Sequence, residues 1–168
     1  NEISNFKPEV IGIAAITSLA HVTKEICDVI KNQWPDICII LGGPHPSVMP
    51  KEVAAETRAD IIISGEADGI IGDVLKNLSD YKTQRIVYAK NVMQLDSLPF
   101  PARHLVDMSK YSSLPNTYKN DPHTFQVMTS RGCPFQCTFC HDAKGVFRQR
   151  SVENVIAELK ELREKYTI

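Results

Sequence analysis

No apolar run in this 168-residue chain approaches the ~20 residues that a membrane-spanning helix needs, so no bilayer span is expected. Neither sign of charge is in excess. The 19 basic and 20 acidic side chains leave a net charge of −1, which offers no general attraction to nucleic acid or to an anionic membrane. The start, Asn1-Glu2-Ile3-Ser4, lacks a basic segment followed by an apolar core, so no export signal is visible and a cytoplasmic location is expected. An initiator Met is missing too, from which we expect sequence upstream. An even set of cysteines is also lacking: Cys27, Cys38, Cys133, Cys137 and Cys140, without an export signal, argue against a disulfide framework. What remains is the composition of an ordinary globular protein, which excludes collagen, coiled coil and disorder.

The first 80 residues alternate apolar runs with amphipathic stretches. Strands are expected at Val10–Ala15, Ile37–Leu41 and Ile61–Ile63. The second is apolar throughout, as in a parallel sheet buried on both faces, and Gly42-Gly43-Pro44 breaks it. Helices are expected at about His21–Asn32, with Val22, Ile26, Val29 and Ile30 as the apolar stripe, at Pro50–Thr57, and at Ile70–Leu78. Strand and helix in alternation imply right-handed crossovers and a doubly wound α/β sheet. Cys27 and Cys38 fall in this core and read as small buried hydrophobes.

Residues 85–123 are rich in Pro, Ser, Asn and Asp, too long for an ordinary loop, and read as an interdomain linker, with Ile86-Val87-Tyr88 as a possible extra strand. The expected organisation is a Rossmann-like domain over 1–84, the linker over 85–123, and a second domain beginning at 124. That second unit opens with an alternating strand, Phe125–Thr129, and continues into a cysteine loop. A helix capped by Ser151 follows, with Val152, Val155, Ile156, Leu159 and Leu162 as its apolar face. One strand, a loop and a helix cannot bury a core alone, so residues 124–168 are expected to be the start of a longer domain that this piece could not turn over by itself.

Cys133, Cys137 and Cys140 are spaced C-x3-C-x2-C. Three thiolates on a short loop can converge on one soft metal centre, and iron–sulfur clusters commonly use such a set. Purely structural thiols in an exposed loop would be an oxidation liability. Zinc would want a fourth ligand; His141 adjoins Cys140 and His123 would have to reach back over the strand. Three ligands without a fourth fit a cubane better.

The run Thr129-Ser-Arg-Gly-Cys-Pro-Phe-Gln-Cys-Thr-Phe-Cys140, followed by Val146-Phe-Arg-Gln-Arg-Ser-Val-Glu-Asn-Val155, resembles the start of a radical S-adenosylmethionine (SAM) barrel, a partial TIM barrel. The resemblance implies that Cys133, Cys137 and Cys140 hold three irons of a [4Fe-4S] cluster and that SAM chelates the fourth. It also implies that Phe139 lies near the SAM adenine, and that a reductant such as flavodoxin or ferredoxin supplies the electron. Arg148 and Arg150 are candidates to neutralise the cluster or the SAM carboxylate, against the simpler expectation of exposed surface arginines.

The N-terminal half resembles the cobalamin-binding domain that precedes the barrel in one large radical SAM class. The matching residues are Ile16 to Leu19 after the first strand, Leu41 to Pro46 after the second and Ser64 to Asp68 after the third, with Thr17, Ser18, Leu19, Gly42, Gly43, Pro44, Gly65 and Glu66 as the candidate contacts. All lie at strand carboxyl ends, where open parallel sheets bind ligands. Gly42-Gly43 would let backbone approach a bulky ligand, and Thr17 or Ser18 would donate a hydrogen bond. The Asp-x-His-x-x-Gly motif of better-known corrinoid proteins is missing; Asp121-Pro-His123 is a decoy, and His45 reads as a hydrogen-bonding loop residue rather than a cobalt ligand.

The resemblance thus implies a cobalamin-dependent radical SAM methyltransferase, with cobalamin as methyl carrier and a small-molecule or peptide substrate. Cyclisation or rearrangement within the same class is the nearest alternative. A zinc-stabilised binding module without catalysis is the alternative from another class, and a corrinoid carrier without chemistry of its own is disfavoured by the cysteine triplet.

Overall fold

The computed structural model describes residues 2–107, 125–140 and 146–166. Two compact units divide at Val92/Met93.

The first unit begins with a short helix α1 (Glu2–Phe6) and then alternates: β1 (Val10–Ala14), α2 (Ala20–Gln33), β2 (Cys38–Gly42), α3 (Pro44–Val48), α4 (Pro50–Glu56), β3 (Ile61–Ser64), α5 (Ile71–Lys76), α6 (Leu78–Gln84) and β4 (Ile86–Tyr88). The four strands form one parallel sheet in the order β1-β2-β3-β4, with Val10 opposite Cys38, Ile40 opposite Ile61 and Ile62 opposite Ile86. The doubly wound α/β architecture expected from the sequence is therefore present. Ile86–Tyr88, inside the span read as linker, is hydrogen-bonded into the sheet.

Alternate residues of the apolar strands feed two cores. Ile39, Leu41 and Ile62 pack with Cys27 and Ile30 of α2 and Val53 and Ala54 of α4. Cys38, Ile40, Ile61 and Ile63 pack on the other face with Val74 of α5 and Leu78 and Tyr81 of α6. The sheet order advances in one direction throughout, so this change of face gives the β3–β4 crossover the opposite hand from the first two. A uniformly right-handed set was the expectation, and a set of mixed hand departs from it.

Three local readings need correction. The buried stripe of α2 is Thr23, Cys27 and Ile30, whereas Ile26 (42% exposed) and Val29 (52%) face outward. Pro44–Val48 is a helical turn rather than a simple break, started by a proline at a first-turn position where no backbone N–H is needed. The helix expected at Ile70–Leu78 stops at Lys76, because Asn77 leaves helical geometry (φ −124°, ψ 42°) and its side-chain amide donates to Asp73.

Burial pushes the Cys27 thiol up to about 11 and raises Cys38 as well. Neither thiol should react with a disulfide reagent at pH 8 until the unit unfolds, whereas the loop cysteines should react at once. Counting fast and slow thiols with and without denaturant checks this.

The second unit has a two-stranded antiparallel ladder, β5 (Ser130–Arg131) with β6 (Arg148–Gln149), followed by α7 (Val152–Tyr166). The expected strand over Phe125–Thr129 is not one. Its side chains do alternate in burial as far as Met128. Its carbonyls, however, serve arginine donors rather than a neighbouring strand: Gln126 accepts from Arg103, Met128 from the Arg150 side chain and Thr129 from the Arg150 backbone. The Ser151 cap is present, its Oγ accepting from Asn154 N–H at 3.1 Å, and Asp96 in turn accepts from Ser151 N–H. The inward face of α7 carries Glu158 and Leu162, both fully buried, while Val152, Ile156 and Leu159 are exposed. Among the described residues no helix is long and apolar enough to cross a membrane.

Candidate functional site

In a parallel sheet every strand ends on the same edge, and the three loops singled out from the sequence meet there. Thr17, Ser18 and Leu19 form an exposed 3₁₀ turn after β1. That segment is tied to the next by Ala15 N–H donating to Gly42 O (2.8 Å) and His45 N–H donating to Ala15 O (3.0 Å). The second loop is tied to the third by Gly65 N–H donating to Ser47 Oγ (3.0 Å) and Ser64 Oγ–H donating to Ser47 O (3.3 Å). The structure thus brings these loops side by side as one stitched edge.

The glycines of this edge differ in kind. Gly43 sits at φ +99°, ψ −171°, a region essentially reserved for glycine. A Cβ there would lie 3.0 Å from Ala15 O and 3.1 Å from Ala15 N. Gly65, at φ +102°, would clash with Ala89 O. Both are demanded by the fold itself. Gly42 has nothing within 4 Å of where a Cβ would stand, and its own conformation is ordinary. Gly42 is therefore the position where bare backbone leaves open space that a ligand can use. Of the Gly42-Gly43 pair expected to let backbone approach a ligand, Gly42 is thus the one with open space, and Gly43 is needed by the fold as well.

Pro44 is exposed at the start of α3. Glu66 is engaged locally, accepting from Val92 N–H at 3.0 Å. His45 is 9% exposed, and its Nδ1 is buried without a hydrogen-bond partner among the described residues. It lines a cavity of about 210 Å³ with Ala15, Thr23, Val53 and Glu56. Sequence reading included Ile16 and Leu19 but overlooked the other apolar side chains of this edge. Ile16, Val48, Met49 and Tyr88 are exposed there, beside Leu19. The available signal was large apolar residues at and just beyond element ends, where solvent alone would favour polar ones.

In the second unit the cysteine segment leaves β5 through Gly132 (φ +78°), where a Cβ would clash with Val146 O at the return towards β6. Cys133 is half-buried, while Cys137 and Cys140 are exposed and joined by a turn in which Cys140 N–H donates to Cys137 O at 3.0 Å. All three are free thiols. Among the described residues no three His, Cys, Asp or Glu side chains are gathered as a metal site, so the cysteines share one loop without converging. Phe139 is 91% exposed beside them. As a donor set, three soft thiols on one short loop suit an iron–sulfur cluster. His123, Asp121 and His141, weighed above, lie outside the described residues.

The two arginines after the loop are not exposed surface groups. Arg148 is buried, its Nε–H donating to Val146 O (3.0 Å). Arg150 pairs with the buried Glu158 carboxylate, donates to Asn154 Oδ1 and Met128 O, and lies over the Phe100 ring at 5.4 Å. Glu158 also accepts from Arg103 at 2.7 Å. Burial raises the Glu158 pKa, but the hydrogen bonds and charges of Arg150 and Arg103 outweigh it and hold the carboxyl below its ordinary value. A depressed carboxyl stabilises the fold above the unfolded-state value of about 4.3 and loses that contribution as pH falls through the folded value. The second unit should therefore lose stability as the pH drops below about 4. Glu158→Gln should be less stable at neutral pH and flatter in acid, as equilibrium unfolding across pH would read out.

Comparison with known proteins agrees with this architecture. Residues 1–75 match the family described as B12 binding domain. The chain is 30% identical to an uncharacterized methyltransferase of Pyrococcus horikoshii, over 99% of the chain and 39% of that protein. It is 26% identical to the cytidylyl-2-hydroxyethylphosphonate methyltransferase of Streptomyces wedmorensis, with the same two coverages. It is 24% identical to an anaerobic magnesium-protoporphyrin IX monomethyl ester cyclase of Rubrivivax gelatinosus, over 99% of the chain and 33% of that protein. The chain thus spans 33% to 39% of the length of these relatives. No solved structure matches it. Residues 1–75 thus match a B12 binding domain, and the relatives aligned across both units support the cobalamin-binding radical SAM family that the cysteine segment resembles.

Proposed function

We propose that the protein carrying this chain is a cobalamin-dependent radical SAM enzyme whose reaction is methyl transfer to an unactivated carbon or phosphorus centre. The observation that carries the reading is the pairing, in one chain, of a B12-binding unit with a loop of three free thiols. When bound, a [4Fe-4S] cluster supplies the electron that cleaves the SAM sulfonium bond, and cobalamin supplies a methyl carrier.

In the first unit the open backbone at Gly42 admits the cobalamin, the hydroxyls of Thr17 and Ser18 donate to it, and Leu19, Gly43, Pro44, Gly65 and Glu66 shape the edge around it. In the second, Cys133, Cys137 and Cys140 would be the cluster ligands, and Phe139, exposed beside them, would pack on the SAM adenine. The exposed position of the loop suits delivery of an electron by a small acceptor-specific reductant such as a flavodoxin or ferredoxin. Two relatives named as methyltransferases support methyl transfer. Relatives named as cyclases support ring closure as the second reading.

The test is anaerobic incubation of the full-length protein with iron, sulfide, SAM and a reductant. Release of 5′-deoxyadenosine is the expected result. A colourless protein that holds zinc stoichiometrically and leaves SAM intact would instead establish a binding module.

A further inference from the structure

The buried carboxylate of Glu158 does more than hold α7 in place. Its two oxygens take different arginines: Oε1 accepts from Arg103 Nη2, and Oε2 from Arg150 Nη1. Each arginine spends a second donor on the segment entering the cysteine loop, Arg103 on Gln126 O (3.0 Å) and Arg150 on Met128 O (2.9 Å). The Arg150 backbone N–H adds a bond to Thr129 O (2.9 Å). The next residues, Ser130 and Arg131, pair with Gln149 and Arg148, which closes the base of the loop. These side chains are almost wholly buried, so the ion pairs are short of competing water.

We propose that Glu158 is a positioning residue for the cysteine loop: through Arg103 and Arg150 it fixes the 126–129 segment, and thereby the point from which Cys133, Cys137 and Cys140 are presented. The role of the presented thiols rests on the cluster reading above, but the clamp itself does not. An amide cannot pair with both guanidinium groups as a carboxylate does, so Glu158→Gln keeps the shape and removes the charge that holds the forks. Without it the arginines remain buried with one partner fewer, and the carbonyls of Gln126 and Met128 lose their fixed donors.

The test uses the full-length protein, with Glu158→Gln, Arg103→Lys and, as a control on the solvent side of α7, Glu161→Gln. Hydrogen exchange is read in the metal-free protein, and the electron paramagnetic resonance signal of the reduced cluster is read after reconstitution. Expected are faster exchange, by about tenfold or more, at Ser130–Arg131 and Arg148–Gln149 in both clamp variants. Amides of residues 159–166 should keep their protection, and the resonance signal should shift or broaden in the clamp variants. The Glu161→Gln control should match the parent protein throughout. If Arg103→Lys alone folds, its loop exchange decides the matter. Loop exchange equal to the parent in a folded clamp variant would overturn the proposal. Equal iron uptake by the parent and by Cys137→Ala would instead overturn the cluster reading, and the exchange result would still stand or fall by itself.

Discussion

Cys137→Ala in the full-length protein is expected to abolish 5′-deoxyadenosine formation and to leave cobalamin binding unchanged. The thiol is one of only three soft donors on the loop, and a cubane with two protein ligands loses its anchorage. Cobalamin uptake is assigned to the other compact unit, residues 1–92, whose fold does not include this side chain. The effect should be all or none, since electron delivery to SAM requires the cluster. Parallel assays of SAM cleavage and of cobalamin retained after desalting separate the two cofactors. Retained cleavage by the purified variant would remove Cys137 from the ligand set.

The second large effect distinguishes neighbouring glycines. Gly42→Val should weaken cobalamin binding by about tenfold or more, equivalent to about 1.4 kcal/mol, with the melting temperature close to the parent's. A Cβ there has no protein atom within 4 Å, so what the added side chain displaces is the ligand. Gly43→Val should do the reverse. It forces a β-branched residue to φ +99° and presses its Cβ on the Ala15 backbone, a strain of about 1–3 kcal/mol on the fold before any ligand is considered. Thermal melts with and without hydroxocobalamin read both effects. A Gly42→Val protein that binds as tightly as the parent would move the cofactor away from this edge.

The contrast between these two glycines marks what could be read from the residues. Gly42-Gly43 after an apolar strand was visible as a ligand-edge signal, but which glycine serves the fold depends on how closely Ala15 approaches, a contact between strands rather than within the sequence. The β1, β2 and β3 strands were legible because Ile39, Ile40 and their like are apolar on both faces. On α2 two stripes both satisfy a helical period, and the sheet chose Thr23, Cys27 and Ile30, the stripe that includes a hydroxyl and a thiol. Thr23 fits there because its hydroxyl donates to Leu19 O. The same reason hid Glu158: at a spacing shared with Val155 and Leu162 it looks like a solvated charge until Arg103, 55 residues earlier, is brought to it. The cysteine triplet was the strongest signal in the sequence, and its convergence on a metal is the part that the fold of this loop does not display.

Counting metals tests the two-cofactor reading most directly. The full-length protein would be reconstituted anaerobically with iron, sulfide and hydroxocobalamin, desalted, and assayed for iron, cobalt and zinc. The expected result is about four irons together with one cobalt per chain, with the iron lost and the cobalt kept in Cys137→Ala. Cobalt without iron, or zinc in place of iron, would contradict it.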